Sequence, residues 1–377
     1  MIVPEIRGDG VRLRPLRPDD LDDLVAGMDD PLTQRFLPAL PSPFTRSAGE
    51  WYLERGVPET FAAGGALCAV ADPHTDRLLG GVGLDRVIPA RRQAEMGYWV
   101  GPWARHRGVA TAAVRALTDH ALTSGMQRLE LLTHAENGPS QRVALAAGFR
   151  REGVRRGALP DRSTRRADLI AYARLAGDAP GPATRLLPDL PGGELTDGTV
   201  TLRRLGPGDA AFYAELHAEP DVIATSVPPV PPSHEDVRRR CDWAESHWLE
   251  GTRADLVIVD SATGAATGHI GLFYQEPPTA QAMIGYSMSS AWRGRGYATR
   301  AAQLLALWAF AETGIARLIA GAMPSNRKSR RVLEKAGFRE EAYLRSRLPG
   351  PGSERIDDVQ YVLLAEDLAR EGPRLDG

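Results

Sequence analysis

The sequence predicts an α/β (α+β) protein made of two tandem domains of one fold. Its 377 residues are enough for two domains of ordinary size. Each half interleaves strand-like apolar segments with segments of helical period, which is typical of a mixed α/β unit. The halves also repeat each other at an offset of 188 or 189 residues. The repeated blocks are VRLRPLRPDD (11–20) and VTLRRLGPGD (200–209), GYWVGPWARHRGVAT (97–111) and GYSMSSAWRGRGYAT (285–299), and NGPSQRVALAAGF (137–149) and NRKSRRVLEKAGF (326–338).

The first half of each copy is rich in predicted strands. VRLRPL alternates apolar and basic residues, as a half-buried strand does. Asp19 and Asp20 follow it, where acidic side chains favour a helix start. LCAVAD and LLGGVGL predict a hairpin, and in the second copy Thr263 and Gly264 supply its turn. EMGYWV in the first copy and MIGYSM in the second predict the next strand.

The second half of each copy alternates helices and strands. Two helices per copy are each predicted to end before a glycine, a common C-terminal signal. RLELLTH and RLIAGAM predict the strand between those helices. The predicted helices cover 109–124, 137–147, 297–313 and 326–336, and final strands cover 168–175 and 357–364.

The boundary between the copies is predicted from composition. Residues 177–193 read GDAPGPATRLLPDLPGG, which has neither helix nor strand period and is rich in Pro and Gly. Such a segment is typical of a linker stiffened by its prolines. We therefore expect an N-terminal domain at 1–177, a linker at 178–193 and a C-terminal domain at 194–377.

Composition narrows the class of protein. With 43% hydrophobic and 25% charged residues, disorder and fibrous structure are disfavoured. No apolar run approaches a bilayer span, and the N-terminus lacks the apolar region of a signal peptide. Cys68 and Cys241 are far apart, which excludes a disulfide framework or a zinc ribbon. The net charge of -2 is the sum of +3 in residues 1–188 and -5 in residues 189–377. We expect a cytoplasmic protein with neither nucleic acid nor membrane as partner.

The loops RHRGVA and RGRGYA carry the strongest functional pattern, R-x-x-G-x-A, between a strand and a helix. The first N–H groups of a helix lack intrahelical partners and lie at the positive end of its dipole, so they suit an anion such as pyrophosphate. Gly108 and Gly296 would let the backbone approach that ligand. Arg105, Arg107, Arg293 and Arg295 would add positive charge. A tight turn with solvated arginines is the competing interpretation.

The combination of the opening V-x-L-R-x-L, the G-Y strand, R-x-x-G-x-A, N-x-x-S and A-G-F resembles the GNAT superfamily of acyl-CoA-dependent N-acetyltransferases. The resemblance covers both copies outside the linker and the tail. It is closest to the branch that includes ribosomal-protein N-terminal acetyltransferases. It implies, in each copy, a mixed and splayed sheet of six or seven strands flanked by helices, with acetyl-CoA in the splay and no metal.

The resemblance also implies which residues hold the cofactor. Pantetheine would pair with the backbone near Val100 and Met288, and Asn137 and Asn326 would lie on the cofactor side. The pyrophosphate would rest on the backbone amides of both loops: Arg105, His106, Arg107, Gly108, Val109 and Ala110 in the first copy, and Arg293, Gly294, Arg295, Gly296, Tyr297 and Ala298 in the second.

The expected catalytic residues differ between the copies. Glu95, two residues before Gly97, is the candidate base in the first copy, although an ion pair with an arginine would also explain it. The matching residue of the second copy is Met283, which cannot act as a base. Ser140 and Ser329 are expected near the thioester sulfur, where a hydroxyl can donate to the leaving thiolate; a helix-surface hydroxyl is the alternative. Family members often have a tyrosine four residues before the glycine of the G-F pair, but these positions are Ala144 and Leu333 here.

Three functions are therefore consistent with the sequence. The favoured one is acetyl transfer from acetyl-CoA to a primary amine, either a peptide N-terminus or a small molecule, by direct attack in a ternary complex. The second is an acyl-CoA-binding or sensing protein in which one or both domains have lost catalysis. The third, a tRNA-dependent aminoacyl ligase, is disfavoured because it predicts a large basic surface, and the second copy is acidic.

Overall fold

The structure is a computed structural model that describes residues 5–160, 166–350 and 352–371. The chain divides into two compact units, Met1–Thr184 and Arg185–Gly377. Each unit is built on one mixed sheet of eight described strands. The part of the chain that the structure describes contains no helix with the length and apolarity needed to cross a bilayer.

The sheet of the first unit has the strand order β1-β2-β3-β4-β5-β6-β8-β7. Neighbouring strands are antiparallel, except that β5 and β6 are parallel. The strands are β1 (Ile6–Gly8), β2 (Val11–Arg14), β3 (Ala66–Ala71), β4 (Leu78–Ile88), β5 (Gln93–Val100), β6 (Arg128–His134), β7 (Arg150–Pro160) and β8 (Arg166–Leu175).

Two groups of helices accompany this sheet. Four short helices lie between β2 and β3 in the chain, and the first of them packs on the sheet through Leu24 and Met28, against Ala69, Leu78 and Trp99. Two further helices follow β5 and β6. The helices are α1 (Leu21–Met28), α2 (Pro31–Phe36), α3 (Arg46–Trp51), α4 (Val57–Ala62), α5 (Val109–Thr123) and α6 (Gly138–Ala146).

The second unit repeats this arrangement, with the strand order β15-β16-β14-β13-β12-β11-β10-β9 and β13 parallel to β14. Its strands are β9 (Glu194–Thr196), β10 (Val200–Arg204), β11 (Arg253–Asp260), β12 (Ala266–Glu276), β13 (Gln281–Met288), β14 (Arg317–Ala322), β15 (Arg339–Pro349) and β16 (Arg355–Leu364). Its helices are α7 (Ala210–Ala218), α8 (Pro220–Thr225), α9 (His234–Asp242), α10 (Ala244–Glu250), α11 (Tyr297–Glu312), α12 (Arg327–Lys335) and α13 (Ala365–Glu371).

The tandem α/β fold is confirmed, and each observed sheet has eight strands where six or seven were expected. Two strands of each sheet are not revealed by periodicity. One is the three-residue first strand, Ile6–Gly8 or Glu194–Thr196. The other is the strand at the opposite edge, Arg150–Pro160 or Arg339–Pro349. Those edge strands carry charged residues on both faces and pair on one side only. They therefore lack the apolar alternation by which strands are recognised.

The segment expected as a linker packs against its neighbours. Arg174 Nη1 in β8 donates to the carbonyl oxygen of Gly148, at 3.1 Å, and lies 3.4 Å from that of Gly181, within the first unit. Leu187 is fully buried in the core of the second unit, where Trp248 Nε1 donates to the carbonyl oxygen of Pro188 at 2.9 Å. The prolines and glycines prevent regular structure in this stretch, but its leucines still bury apolar surface.

Candidate active site

In each unit the sheet opens between its two parallel strands. β5 pairs with β6 only at the first three residue pairs, the last of which is Glu95 opposite Glu130. β13 pairs with β14 over three residue pairs in the same way, ending at Met283 opposite Ile319. Beyond these pairs the strands diverge, so among the described residues the two facing strand edges have no strand partner. An unpaired strand edge can pair with the amides of an extended chain such as pantetheine.

The loop at the wide end of each gap has the backbone that an anion site needs. Gly108 and Gly296 occupy the residue before the helix with φ of 76° and 81°, a region that glycine enters without strain. A Cβ at either position would meet open space, so the space beside the backbone is free. Two residues earlier, His106 (φ 59°) and Gly294 (φ 78°) are also left-handed. Each loop therefore leads into a helix of 15 or 16 residues whose first N–H groups are not used within the helix.

The first arginine of each loop already has carboxylate partners within its own unit, and its expected contribution of charge to the cofactor stays a prediction. Arg105 donates from Nε to the Val100 carbonyl oxygen at 3.2 Å and forms an ion pair with Asp30 at the start of α2. Arg293 donates to the Met288 carbonyl oxygen at 3.0 Å and pairs with Glu219 and Asp221 at 3.0 and 2.6 Å. Both guanidinium charges are thus neutralised by carboxylates. Through these contacts each arginine fastens its loop to the start of a short helix, α2 in the first unit and α8 in the second.

The second arginine of each loop is better placed to meet an anion. Arg107 and Arg295 are both exposed. The Arg295 guanidinium lies over the ring of Trp292, with 4.7 Å between its central carbon and the ring centroid. Tyr297 is fixed from within, because its hydroxyl donates to Asp260 at 2.7 Å. No contact of the structure tests the assignment of these loops to the cofactor, so that assignment stays a prediction.

The N-x-x-S motif proves to be a helix cap. Asn137 accepts a hydrogen bond from the backbone N–H of Ser140 at 3.2 Å, and Asn326 accepts one from Ser329 at 3.1 Å. Each asparagine is the residue before its helix, so its side chain satisfies an otherwise unpaired N–H. The cap also holds the serine in the first helical turn beside the gap.

A tyrosine–serine pair joins strand and helix in both units, and the sequence did not reveal that the tyrosine contacts the serine. Tyr98 on β5 donates to Ser140 Oγ at 2.8 Å. Tyr286 on β13 lies 2.9 Å from Ser329 Oγ and 3.1 Å from the Ser329 carbonyl oxygen. Burial raises the pKa of both tyrosines to about 12, so both are protonated at neutral pH. The signal for these tyrosines was the G-Y dipeptide present in both copies.

Glu95 lies where the two strands of the first unit part. Its carboxylate is 20% exposed, and Oε2 accepts from Arg86 at 2.9 Å. Burial raises the pKa of Glu95, the Arg86 charge opposes the rise, and Asp85 directly across the strand pair adds to it. Glu95 is therefore both an ion-pair partner and a carboxylate of increased basicity. In the second unit the equivalent cross-strand pair is Phe273 and Met283, which has no proton to exchange.

Comparisons with known proteins identify the family that the chain matches. The profile of the acetyltransferase (GNAT) domain matches the chain twice, at residues 11–150 and 199–339. YnaD of Bacillus subtilis, named as an uncharacterized N-acetyltransferase, is 34% identical over 100 residues, which cover 26% of this chain and 58% of YnaD. YdaF of the same organism, provisionally named a ribosomal N-acetyltransferase, is 32% identical over 183 residues, 46% of this chain and 94% of YdaF.

Other similarities are more partial. The ribosomal-protein-serine acetyltransferase of Escherichia coli is 34% identical over 79 residues, or 21% of this chain and 44% of that enzyme. The chain thus spans about half the length of several curated relatives that it matches. A GNAT-family acetyltransferase structure from Bacillus anthracis is 25% identical and covers 46% of this chain and 99% of its own, with a TM-score of 0.41.

Proposed function

The chain belongs to the GNAT acetyltransferase family, and from that premise we propose that its first unit transfers acetyl from acetyl-CoA to a primary amine by direct attack in a ternary complex. One observation carries the proposal: the sheet opens at Glu95, and the Tyr98–Ser140 hydrogen bond spans from β5 to α6 beyond that point. The candidate base and the tyrosine that contacts the candidate thiolate-binding serine thus lie three residues apart on the strand that borders the gap.

The residues present fit acetyl-CoA. The unpaired edge of β5 suits an amide-bearing chain, and the loop at Gly108 offers backbone N–H groups for phosphates. Arg107 is exposed on that loop, whereas the Arg105 guanidinium forms an ion pair with Asp30. As a substrate, acetyl-CoA supplies an activated acetyl thioester.

Glu95 is the group that we assign to proton removal. An amine must be neutral to attack, and a carboxylate of increased basicity can accept the ammonium proton through a water. The nitrogen then bonds to the carbonyl carbon as the carbon–sulfur bond breaks. Holding the two reactants in this geometry supplies about 7–11 kcal/mol of the barrier reduction, more than any single side chain.

Ser140 is the group that we assign to the leaving thiolate. Because Tyr98 donates to Ser140 Oγ, the serine hydroxyl is free to donate a hydrogen bond to the sulfur as the carbon–sulfur bond breaks. The thiolate then takes up, through solvent, the proton that the nitrogen loses as it becomes an amide. Tyr98 keeps its proton at neutral pH and polarises the serine, which makes Ser140 a better donor than an isolated hydroxyl. Tyr98 is thus a positioning residue for Ser140.

The second unit has the loop, cap and Tyr286–Ser329 pair but has Met283 where the base would be. This difference favours a second role for that unit, in which it binds acyl-CoA without transferring acetyl by a glutamate base. The amine acceptor of the first unit is a peptide N-terminus or a small-molecule amine.

Calorimetry and thiol release together test the proposal. Titration with acetyl-CoA should give one or two sites, and replacement of Gly108 or Gly296 by Arg should remove the site of that unit alone. Free thiol should then appear above the water background with at least one amine from a panel of N-terminal peptides, polyamines and aminoglycosides. Binding without turnover on any amine would refute acetyl transfer and leave acyl-CoA binding, and unchanged binding in both variants would refute the loop assignment.

A further inference from the structure

One face of the sheet differs in chemistry between the two units. In the first unit, Gly81 pairs with Ala69 and Trp99, and the indole of Trp99 covers the glycine within an apolar cluster. A Cβ on Gly81 would lie 2.5 Å from Trp99 Nε1, so the indole occupies this space. In the second unit the same register places His269 between Val257 and Ser287. An imidazole therefore lies where the first unit has an indole from the neighbouring strand.

Asp255 is the centre of the polar cluster that the second unit has on this face of the sheet. Its side chain is fully buried, and it accepts from His269 Nε2 at 3.0 Å and from Arg253 Nε at 2.6 Å, with Arg240 Nη1 at 3.6 Å. Burial alone would raise the pKa of Asp255, but these cationic and hydrogen-bonding partners hold it well below its usual range. The equivalent position in the first unit is Leu67.

A buried carboxylate at this position is not required by the fold. Removing a carboxylate from water costs several kcal/mol, which even good partners offset only in part. The first unit forms the same sheet with leucine there. The cluster therefore has a purpose other than stability, and the groups that it orients are Arg253 and Arg240.

These arginines line a cavity of about 530 Å³. Its lining consists of Asp236, Arg239, Arg240, His247, Thr252, Arg253 and Phe273. Arg253 uses only Nε in a hydrogen bond among the described residues, and its guanidinium lies over Phe273 with 3.9 Å to the ring centroid. Asp255 and Phe273 thus fix the orientation of the planar guanidinium group. Its terminal nitrogens are then suited to bidentate binding of an oxyanion.

The arginines of the cavity outnumber the carboxylates beside them. Burial lowers the pKa of His247, and His217 behind it has a pKa lowered to about 4 by burial and the neighbouring His269, so both are neutral at pH 7. The wall carboxylate, Asp236, is already hydrogen-bonded to Ser233 at the start of α9. Three arginines against Asp236 and the buried Asp255 leave one net positive charge.

We propose that this cavity of the second unit binds a compact oxyanion, the carboxylate or phosphate group of a small molecule, between Arg253, Arg240 and Arg239. The proposal concerns ligand binding and stands whether or not either unit transfers acetyl. The cavity shares Phe273 with the sheet face on which Met283 lies, so the bound molecule lies on the side of the sheet that carries α9 and α10.

Calorimetric titration of the full chain with succinate and with inorganic phosphate, at fixed ionic strength, tests the proposal. We expect one saturable site for at least one of these anions and none for the uncharged succinamide. Arg253→Gln should weaken binding at least about tenfold, since a charge-assisted bidentate contact is lost. Arg239→Gln tests the same wall with an exposed residue that lies over the Trp243 ring, so we expect this variant to fold. Arg238→Gln, exposed on the same helix outside the lining, is the matched control and should stay within about twofold.

The two anions identify the source of the oxyanion, because succinate and phosphate binding would point to carboxylate and phosphate ligands respectively. Absence of a saturable site for both, equal affinity in wild type, Arg253→Gln and Arg239→Gln, or an equal loss in Arg238→Gln would each overturn the proposal. Acetyl-CoA titration of the same variants separates this inference from the proposed function, because it reports the loop and not the cavity.

Discussion

Glu95→Gln is the sharpest test of the first unit. Glutamine keeps the size of the side chain but cannot accept the ammonium proton. Burial raises the pKa of Glu95, so its carboxylate is a stronger base than an exposed one. As the pH falls through that raised pKa, the wild-type rate should decline, and the variant should lack this limb of the profile.

The magnitude follows from the contacts of the carboxylate. A general base contributes about 10²–10⁴-fold. One oxygen of Glu95 accepts from Arg86 at 2.9 Å, which lowers its basicity, so we expect the lower end, about 10²-fold at pH 7. An α-amino group with a pKa near 8 is roughly one-tenth neutral at pH 7 and about nine-tenths neutral at pH 9. The loss should therefore shrink to about tenfold at pH 9.

The assay is kcat/KM from thiol release with one N-terminal peptide across pH 6 to 9, alongside thermal unfolding. The folded state favours the protonated form of Glu95, because its pKa is raised, so ionisation at pH 7 costs stability and Gln should not lower the Tm. Glu130→Gln is the matched control: it lies on the paired strand, and hydrogen bonds from Arg128 and Arg155 outweigh burial and lower its pKa. An equal loss at pH 7 and pH 9, or the same pH-dependent loss in Glu130→Gln, would refute Glu95 as the base.

Three further outcomes follow from the site. Tyr98→Phe should lower kcat by about 2–10-fold with little change in KM, because it removes one neutral hydrogen bond to Ser140. Separate steady-state measurement of kcat and KM checks this, and an effect on KM alone would contradict it. Gly108→Ala should weaken acetyl-CoA binding to the first unit, because a φ of 76° strains alanine by about 1–2 kcal/mol although its Cβ meets no atom; calorimetry that still finds full affinity at that site would argue against a strained loop. Asn137→Ala should lower the free energy of unfolding by about 1 kcal/mol through loss of the cap on α6, measured by urea denaturation, where no change would show that the cap is dispensable.

Local sequence signals predicted the frame of the site. The helix starts at Val109 and Tyr297 follow from a glycine before a helical period, and both are observed at those residues. The two helices of each half end within two residues of the prediction. These features depend on turn chemistry and on the period of a few consecutive residues, which the sequence displays directly.

The charge of the loop arginines could not be resolved in the same way. Arg105 and Arg293 look equivalent to Arg107 and Arg295 in the sequence, but their partners are up to 75 residues away, on α2 and α8. A nearby carboxylate neutralises an arginine only if the fold brings it there. Spacing along the chain therefore indicated a basic loop and left undetermined which guanidinium groups are available.

By itself the sequence determined that the chain is a tandem repeat and that each copy has a strand, a glycine-bearing loop and a helix in succession. It also determined that only the first copy has a glutamate two residues before its G-Y pair. Only the tertiary structure decided that Glu95 lies where two strands part, that Tyr98 meets Ser140, and that Asp255 gathers His269 and Arg253 beside a cavity. The reason is physical. Periodicity and turn residues act over one or two turns of chain, whereas these contacts depend on strand register and on which helix crosses which face of the sheet.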